Sequence, residues 1–195
     1  MNKRIDEFWK TISNDVEASN RVLDDKLVNY YNEKREDLIE NFTKCIDESF
    51  QKNNIYEENG EQREIKYIVV SILNSSFYTK KYDLLIELCS KDYLSDIKDT
   101  SSYFSYDFMI PWFEEELNTL TKRISENFIR VMNYELESIR SKYKYSLYLY
   151  VLKLIIFLLN EQIIKQHMHS LIQNINIDIS IGYYLNNQKI ISHLF

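Results

Sequence analysis

Apolar residues recur at helical spacing from the start of the chain. Ile5, Phe8, Trp9, Ile12 and Val16 fall at i, i+3, i+4, i+7 and i+11, with charged residues between them. Leu23, Leu27, Tyr30, Tyr31, Leu38, Phe42, Cys45 and Ile46 continue the pattern to about Phe50. Residues 1–50 are therefore expected to be helical, as one long helix or as two with a break near Asn14–Asn20. Gln51–Glu64 has no period and contains Gly60, so it reads as a loop.

The period then changes. Ile65–Leu73 is rich in β-branched and aromatic residues, Asn74–Lys81 is polar, and Tyr82–Leu88 is apolar again. Two such runs around a polar connection predict a β-hairpin over 64–89, with a buried helix as the competitor for the first run. Ser90–Tyr106 reads as irregular. Asp107 is placed to cap a following helix whose first turn holds Pro111. Apolar positions from Trp112 to Ile139 carry that helix to about Arg140, and a second runs from about Lys142 to Gln173. The two form a helical pair over 107–173. Ile175, Ile177, Ile179, Ile181 and Tyr183 alternate strictly with Asn176, Asp178, Ser180 and Gly182. A turn at Asn186-Asn187 completes a C-terminal antiparallel hairpin over 175–195. The fold expected is α+β and helix-dominated, a single domain over 1–195, with the relation between its two hairpins left open.

Composition narrows the chemistry. The 195 residues contain two glycines, Gly60 and Gly182, one proline and one alanine, beside sixteen tyrosines. This bias, with its excess of Ile, Asn and Lys, matches AT-rich codons and points to a low-GC bacterial host. Two glycines so far apart exclude the glycine-rich phosphate loops and the GxSxG nucleophile elbow. HExxH, CxxC and DxDxDG are also absent. Net charge is −6, and it is divided unevenly: residues 1–64 carry −6, 65–141 carry −3 and 142–195 carry +3. The N-terminus lacks a secretory h-region. The longest apolar run, Leu147–Leu159, is interrupted by Lys153 and too short to span a bilayer. A cytoplasmic protein with reduced Cys45 and Cys89 is expected.

Several clusters invite a functional reading. His167 and His169 are weak metal candidates. Two residues apart on a helix they diverge by roughly 200°, and the helix dipole explains histidines near a helix C-terminus without a metal. Asp92, Asp96 and Asp99 suggest a cation site only on a helix, and the segment reads as a solvated loop. Glu114, Glu115 and Glu116 suit a helix N-terminus, while Glu135 and Glu137 diverge. Cys45 and Cys89 read as small buried hydrophobes. Tyr143, Tyr145, Tyr148 and Tyr150 with Lys142 and Lys144 resemble a base-stacking strip, but a pI near 5.2 argues against nucleic acid. The aromatic segment Tyr103–Phe113 suggests a packing site.

The resulting expectation is a protein that works through protein–protein contact. It would be a homodimer or bind a heterologous partner, with no cofactor and no membrane. An immunity- or antitoxin-like neutraliser fits its size and acidity. The interface is expected to involve Tyr148, Val151 and Ile155 on the nearly all-apolar helix and Ile177, Ile179 and Ile181 on the last hairpin. The rival is an enzyme with a carboxylate/histidine site assembled from distant residues, such as Asp92 or Glu114 with His167 or His169.

Overall fold

A computed structural model describes residues 3–60, 64–73, 75–91, 99–172, 177–183 and 186–192. The element order is α1 (Lys3–Glu58), β1 (Ile65–Ile72), α2 (Ser76–Thr79), β2 (Asp83–Ser90), β3 (Ser102–Ser105), a 3-10 turn (Asp107–Met109), α3 (Ile110–Asn127), α4 (Asn133–Asn160), α5 (Gln162–Ile172), β4 (Asp178–Tyr183) and β5 (Asn186–Ser192). The α+β class is as the pattern predicted. The chain divides into two compact units, one of residues 1–33 and 108–154, the other of 34–107 and 155–195.

The first unit is made of three helical segments: α1 up to Glu33, α3, and α4 up to Leu154. Ion pairs Lys26–Glu115 and Asp15–Arg123 align α3 antiparallel to α1. Arg4–Glu135, Asp6–Lys142 and Asp24–Lys153 align α4 parallel to it. Phe8, Ile12, Leu27, Phe113, Leu117, Leu120, Ile124, Ile139, Tyr143, Leu147 and Val151 fill the core between them. These are the apolar positions of the helical pattern, buried as that pattern requires.

Four helix boundaries settle or change the sequence reading, the first by deciding between its two alternatives. No break occurs at Asn14–Asn20; the non-helical residue is Lys34, at φ −110°, ψ 18°. The apolar period fades near residue 19 because an inward position is polar: Ser19 is buried and hydrogen-bonded to Tyr143. Second, α1 runs on to Glu58 through part of the expected loop. The inward residues at and just before that stretch are Asn53 and Ser49, both buried and polar, so hydrophobic periodicity could not report the helix. Gly60, at φ +82°, follows the end of α1 in the left-handed region that glycine occupies at least cost.

Third, the helix expected to reach Arg140 ends at Asn127, because Phe128 turns extended and Arg130 takes φ 56°. Val131, Leu136 and Ile139 continue the helical spacing across the turn and conceal it. Glu135 restarts α4 by accepting the Met132 N–H at 2.9 Å, the backward half of a capping box. Fourth, the helix expected over 142–173 is divided at Glu161, whose carboxylate takes Arg35 Nε at 2.7 Å. The helical pair is therefore three helices. Asp107 does not cap α3; it lies in the 3-10 turn, where its Oδ1 accepts the Tyr82 N–H.

The second unit holds one mixed five-stranded sheet in the order β3-β2-β1-β4-β5. The middle hairpin is β1 antiparallel to β2, and the C-terminal hairpin is β4 antiparallel to β5. The two share the sheet because β4 lies parallel to β1, Ile68 beside Ile179 and Val70 beside Ile181. The irregular segment also contributes an edge strand, β3, paired to β2 from Asp83–Ser105 to Ile86–Ser102.

Register and the two-residue alternation of strands place Ile68, Val70, Ile72, Leu84, Ile86, Leu88, Phe104, Ile179 and Ile181 on one face. The latter part of α1 covers that face, with Phe42 edge-on to Phe104 at 5.4 Å and the Ser49 hydroxyl 2.9 Å from that of Ser102. The other face carries Tyr67, Val69, Ser71, Leu85, Glu87, Ser180 and Gly182. The residues of β4 alternate apolar and polar, yet Ser180 and Gly182 are buried as well as Ile179 and Ile181. Flanked by β1 and β5, it is an inner strand.

Candidate functional site

The interface residues expected from the sequence lie mostly in the chain's own core. Val151, Ile155 and Ile179 are fully buried, and Ile177 and Ile181 nearly so. Tyr148 alone is half-buried. What α4 turns outward is a neighbouring stripe in the first unit, Tyr145, Leu149 and Leu152. Tyr145 is 63% exposed and Leu149 57% exposed, and Leu152 is half-buried. Tyr148 flanks the stripe, its ring edge-on to Tyr145 at 6.4 Å. The all-round apolar character of α4 thus has two sources, an inner face that fills the core and an outer face that does not. Periodicity cannot say which apolar face of such a helix fills the core and which faces outward.

The inner face of α4 has a polar seam against α1. Tyr143 bonds Ser19, Tyr150 donates to the Asn20 carbonyl at 2.6 Å, and Lys153 pairs with Asp24. Burial raises both phenols to about 12, with the Ser19 bond partly opposing this at Tyr143, and the negative charge of Asp24 adding to it at Tyr150. These tyrosines stay neutral and structural. A hollow of about 10 Å³ beside them, lined by Leu23, Met109, Trp112, Phe113, Leu147 and Tyr150, has room for about one water. The aromatic segment is a packing site as expected: in the first unit Phe108 stacks on Tyr30 at 4.3 Å, and Trp112 meets the same ring edge-on.

In the second unit the structure brings together one carboxylate and one histidine from distant positions. His167 Nε2 on α5 lies 2.7 Å from Asp47 Oδ1 on α1. Sequence reasoning set His167 beside Asp92 or Glu114 as examples and did not name Asp47, which lies within a long acidic helix and carries no local signal. His169, two residues on, is exposed, and on α5 the two rings diverge. Among the described residues no group of three or more His, Cys, Asp or Glu is placed to hold a metal ion.

The other candidates are accounted for locally. Asp92 and Asp96 lie outside the described residues. Asp99 accepts the Ser101 N–H at 3.0 Å, which holds its carboxyl below the usual range. Glu115 and Glu116 pair with Lys26, and Glu114 is half-buried on the first turns of α3. Cys45 donates its thiol to the Tyr103 carbonyl at 3.3 Å, and burial pushes it up to about 11, far from a reactive thiolate. Cys89 is a buried thiol.

No family model matches the chain, and no curated protein or solved structure matches it. Among the described residues, no single helix is long and apolar enough to cross a membrane.

Proposed function

We propose that this protein acts by binding another protein, in the first instance a second copy of itself, through the outward face of α4. The supporting observation is the exposure of Tyr145 and Leu149 on a helix whose opposite face already supplies core residues. A helix needs only one apolar face to fold, and each exposed Leu or Tyr side chain gives up hydrophobic free energy that contact would recover. Tyrosine suits such a surface because its ring can be buried while its hydroxyl stays wet. A net charge of −6 favours a basic partner when the partner is another chain, the arrangement expected of a neutraliser. The setting that goes with this reading is the cytoplasm of a low-GC bacterium.

The test is the concentration dependence of mass by analytical ultracentrifugation on the full chain and on Leu149→Asp and Tyr145→Asp. Dimers that fall to monomers in both variants, with unchanged circular dichroism, are the expected result. A wild type that is monomeric throughout the micromolar range, or dimers indifferent to both substitutions, would overturn self-association through α4.

The Asp47–His167 contact favours a second reading, an enzyme in which the carboxylate orients the imidazole. It requires that any hydrolytic activity of the pure chain be lost in both His167→Ala and Asp47→Asn while folding is kept.

A further inference from the structure

We propose that α1 closes the outer edge of β3 against strand addition by a second copy of this chain, with Lys52 and Cys45 as the closing groups. The direction of each backbone group on β3 follows from the bonds to β2. The Tyr106 N–H donates to the Tyr82 carbonyl at 2.8 Å. The Thr100 hydroxyl accepts the Leu88 N–H at 3.0 Å and donates to the Leu88 carbonyl at 3.1 Å. Tyr82 and Leu88 thus face β3, as do Leu84 and Ile86 between them, with their register partners Phe104 and Ser102. Ser101, Tyr103 and Ser105 turn their backbone groups the other way, to the outer edge.

Two of those outward carbonyls carry donors from α1. Tyr103 accepts the Cys45 thiol at 3.3 Å, and Ser101 accepts the Lys52 ammonium. Cys45 and Lys52 lie two helical turns apart and share one side of α1. Phe42 meets Phe104 and Ser49 meets Ser102 in the same progression, so α1 runs antiparallel along the strand. A bare strand edge is a template for another strand, and charge or proline usually blunts it. Ser102–Ser105 has neither, and Tyr103 is 57% exposed. The segment is suited to its own copy: an antiparallel two-fold pairing sets no like charges opposite each other and brings tyrosine near tyrosine. Capping by α1 withholds the carbonyls that such a pairing needs. This inference is independent of the α4 interface.

The experiment is sedimentation velocity with thioflavin T fluorescence on the full chain, on Lys52→Met combined with Cys45→Ala, and on Lys52→Arg. Methionine keeps an apolar stem at position 52 and removes the donor. We expect the double variant to keep its circular dichroism and to assemble, with thioflavin binding, at a concentration lower than the wild type by roughly tenfold or more, the scale of one lost hydrogen bond to a charged group. Lys52→Arg should behave as the wild type. Adding Tyr103→Pro removes an outward N–H without touching the bonds to β2, and should suppress the assembly. Adding Leu149→Asp should leave it in place, so this proposal and the α4 interface fail separately. If the double variant loses its circular dichroism, Lys52→Met alone takes its place. The proposal is overturned if the folded variant assembles no more readily than the wild type, or if Tyr103→Pro leaves the assembly unchanged. Equal assembly by Arg4→Ala, which weakens the other unit, would also overturn it.

Discussion

Asp47 Oδ1 lies 2.7 Å from His167 Nε2, linking α1 to α5 across 120 positions of sequence. The two side chains are 36% and 30% exposed, so solvent screens the contact and ordering them costs entropy. A pair of this kind is worth about 0.2–1 kcal/mol. A double-mutant cycle with Asp47→Asn and His167→Ala in urea should return a coupling within that range. A coupling above ~2 kcal/mol would mean the pair is desolvated in solution and would strengthen the enzymatic reading.

Arg4 and Glu135 are unequal partners, since Arg4 is 39% exposed and Glu135 only 1%. Removing the arginine leaves two backbone carbonyls without this donor and the buried carboxylate with the Met132 N–H but without its cation. Arg4→Ala should therefore destabilise the protein by roughly 2–3 kcal/mol, below the full cost of stripping a wholly buried pair because water reaches the site. Glu135→Gln, which keeps an acceptor for Met132, should cost less. Urea midpoints of the two variants decide the order.

The raised phenols of Tyr143 and Tyr150 give a pH dependence of definite sign. Both folded values are about 12, while an unfolded tyrosine ionises near 10. Between those values the unfolded chain holds fewer protons than the folded one, so stability is full below about pH 10 and falls as pH rises towards 12. The slope is at most about 1.4 kcal/mol per pH unit for each group, and smaller for the half-buried Tyr150. Absorbance at 295 nm should show two phenols ionising late. Urea titrations at pH 9 and pH 11 should show Tyr143→Phe losing less stability over that interval than the wild type.

Ser49 is fully buried, and its hydroxyl lies within hydrogen-bond distance of the carbonyls of Cys45 and Ile86 and the hydroxyl of Ser102. Ser49→Ala removes that polar link between α1 and the sheet and leaves the Ser102 hydroxyl without this partner in a dry site. A loss of about 1–3 kcal/mol is expected. Ser49→Ala combined with Ser102→Ala should be less destabilising than the sum of the two single changes, as thermal melts can test.

Much of this architecture is legible in the order of the residues. The helical period of Ile5 to Val16, the β-branched run Ile65–Ile72 and the alternation around Ile179 each report one face of one element. That face is set by the spacing of side chains on the backbone itself. The helix class, both hairpins and the buried character of α4 follow from it.

Tertiary structure alone decided the rest. Ser19 and Ser49 turn polar side chains inward to meet Tyr143 and Ser102, and Asn53 is buried with its amide on Glu57 one turn on, so the hydrophobic pattern misreports α1 at those positions. The turn at Phe128–Met132 depends on Arg4 and Glu135, and no local apolar spacing reveals it. Parallel pairing of β1 with β4 joins two hairpins that each look complete in sequence. Which side of α4 faces outward, and which carboxylate meets His167, are likewise long-range results. Local spacing determines which residues share a face; only the assembled chain determines what that face meets.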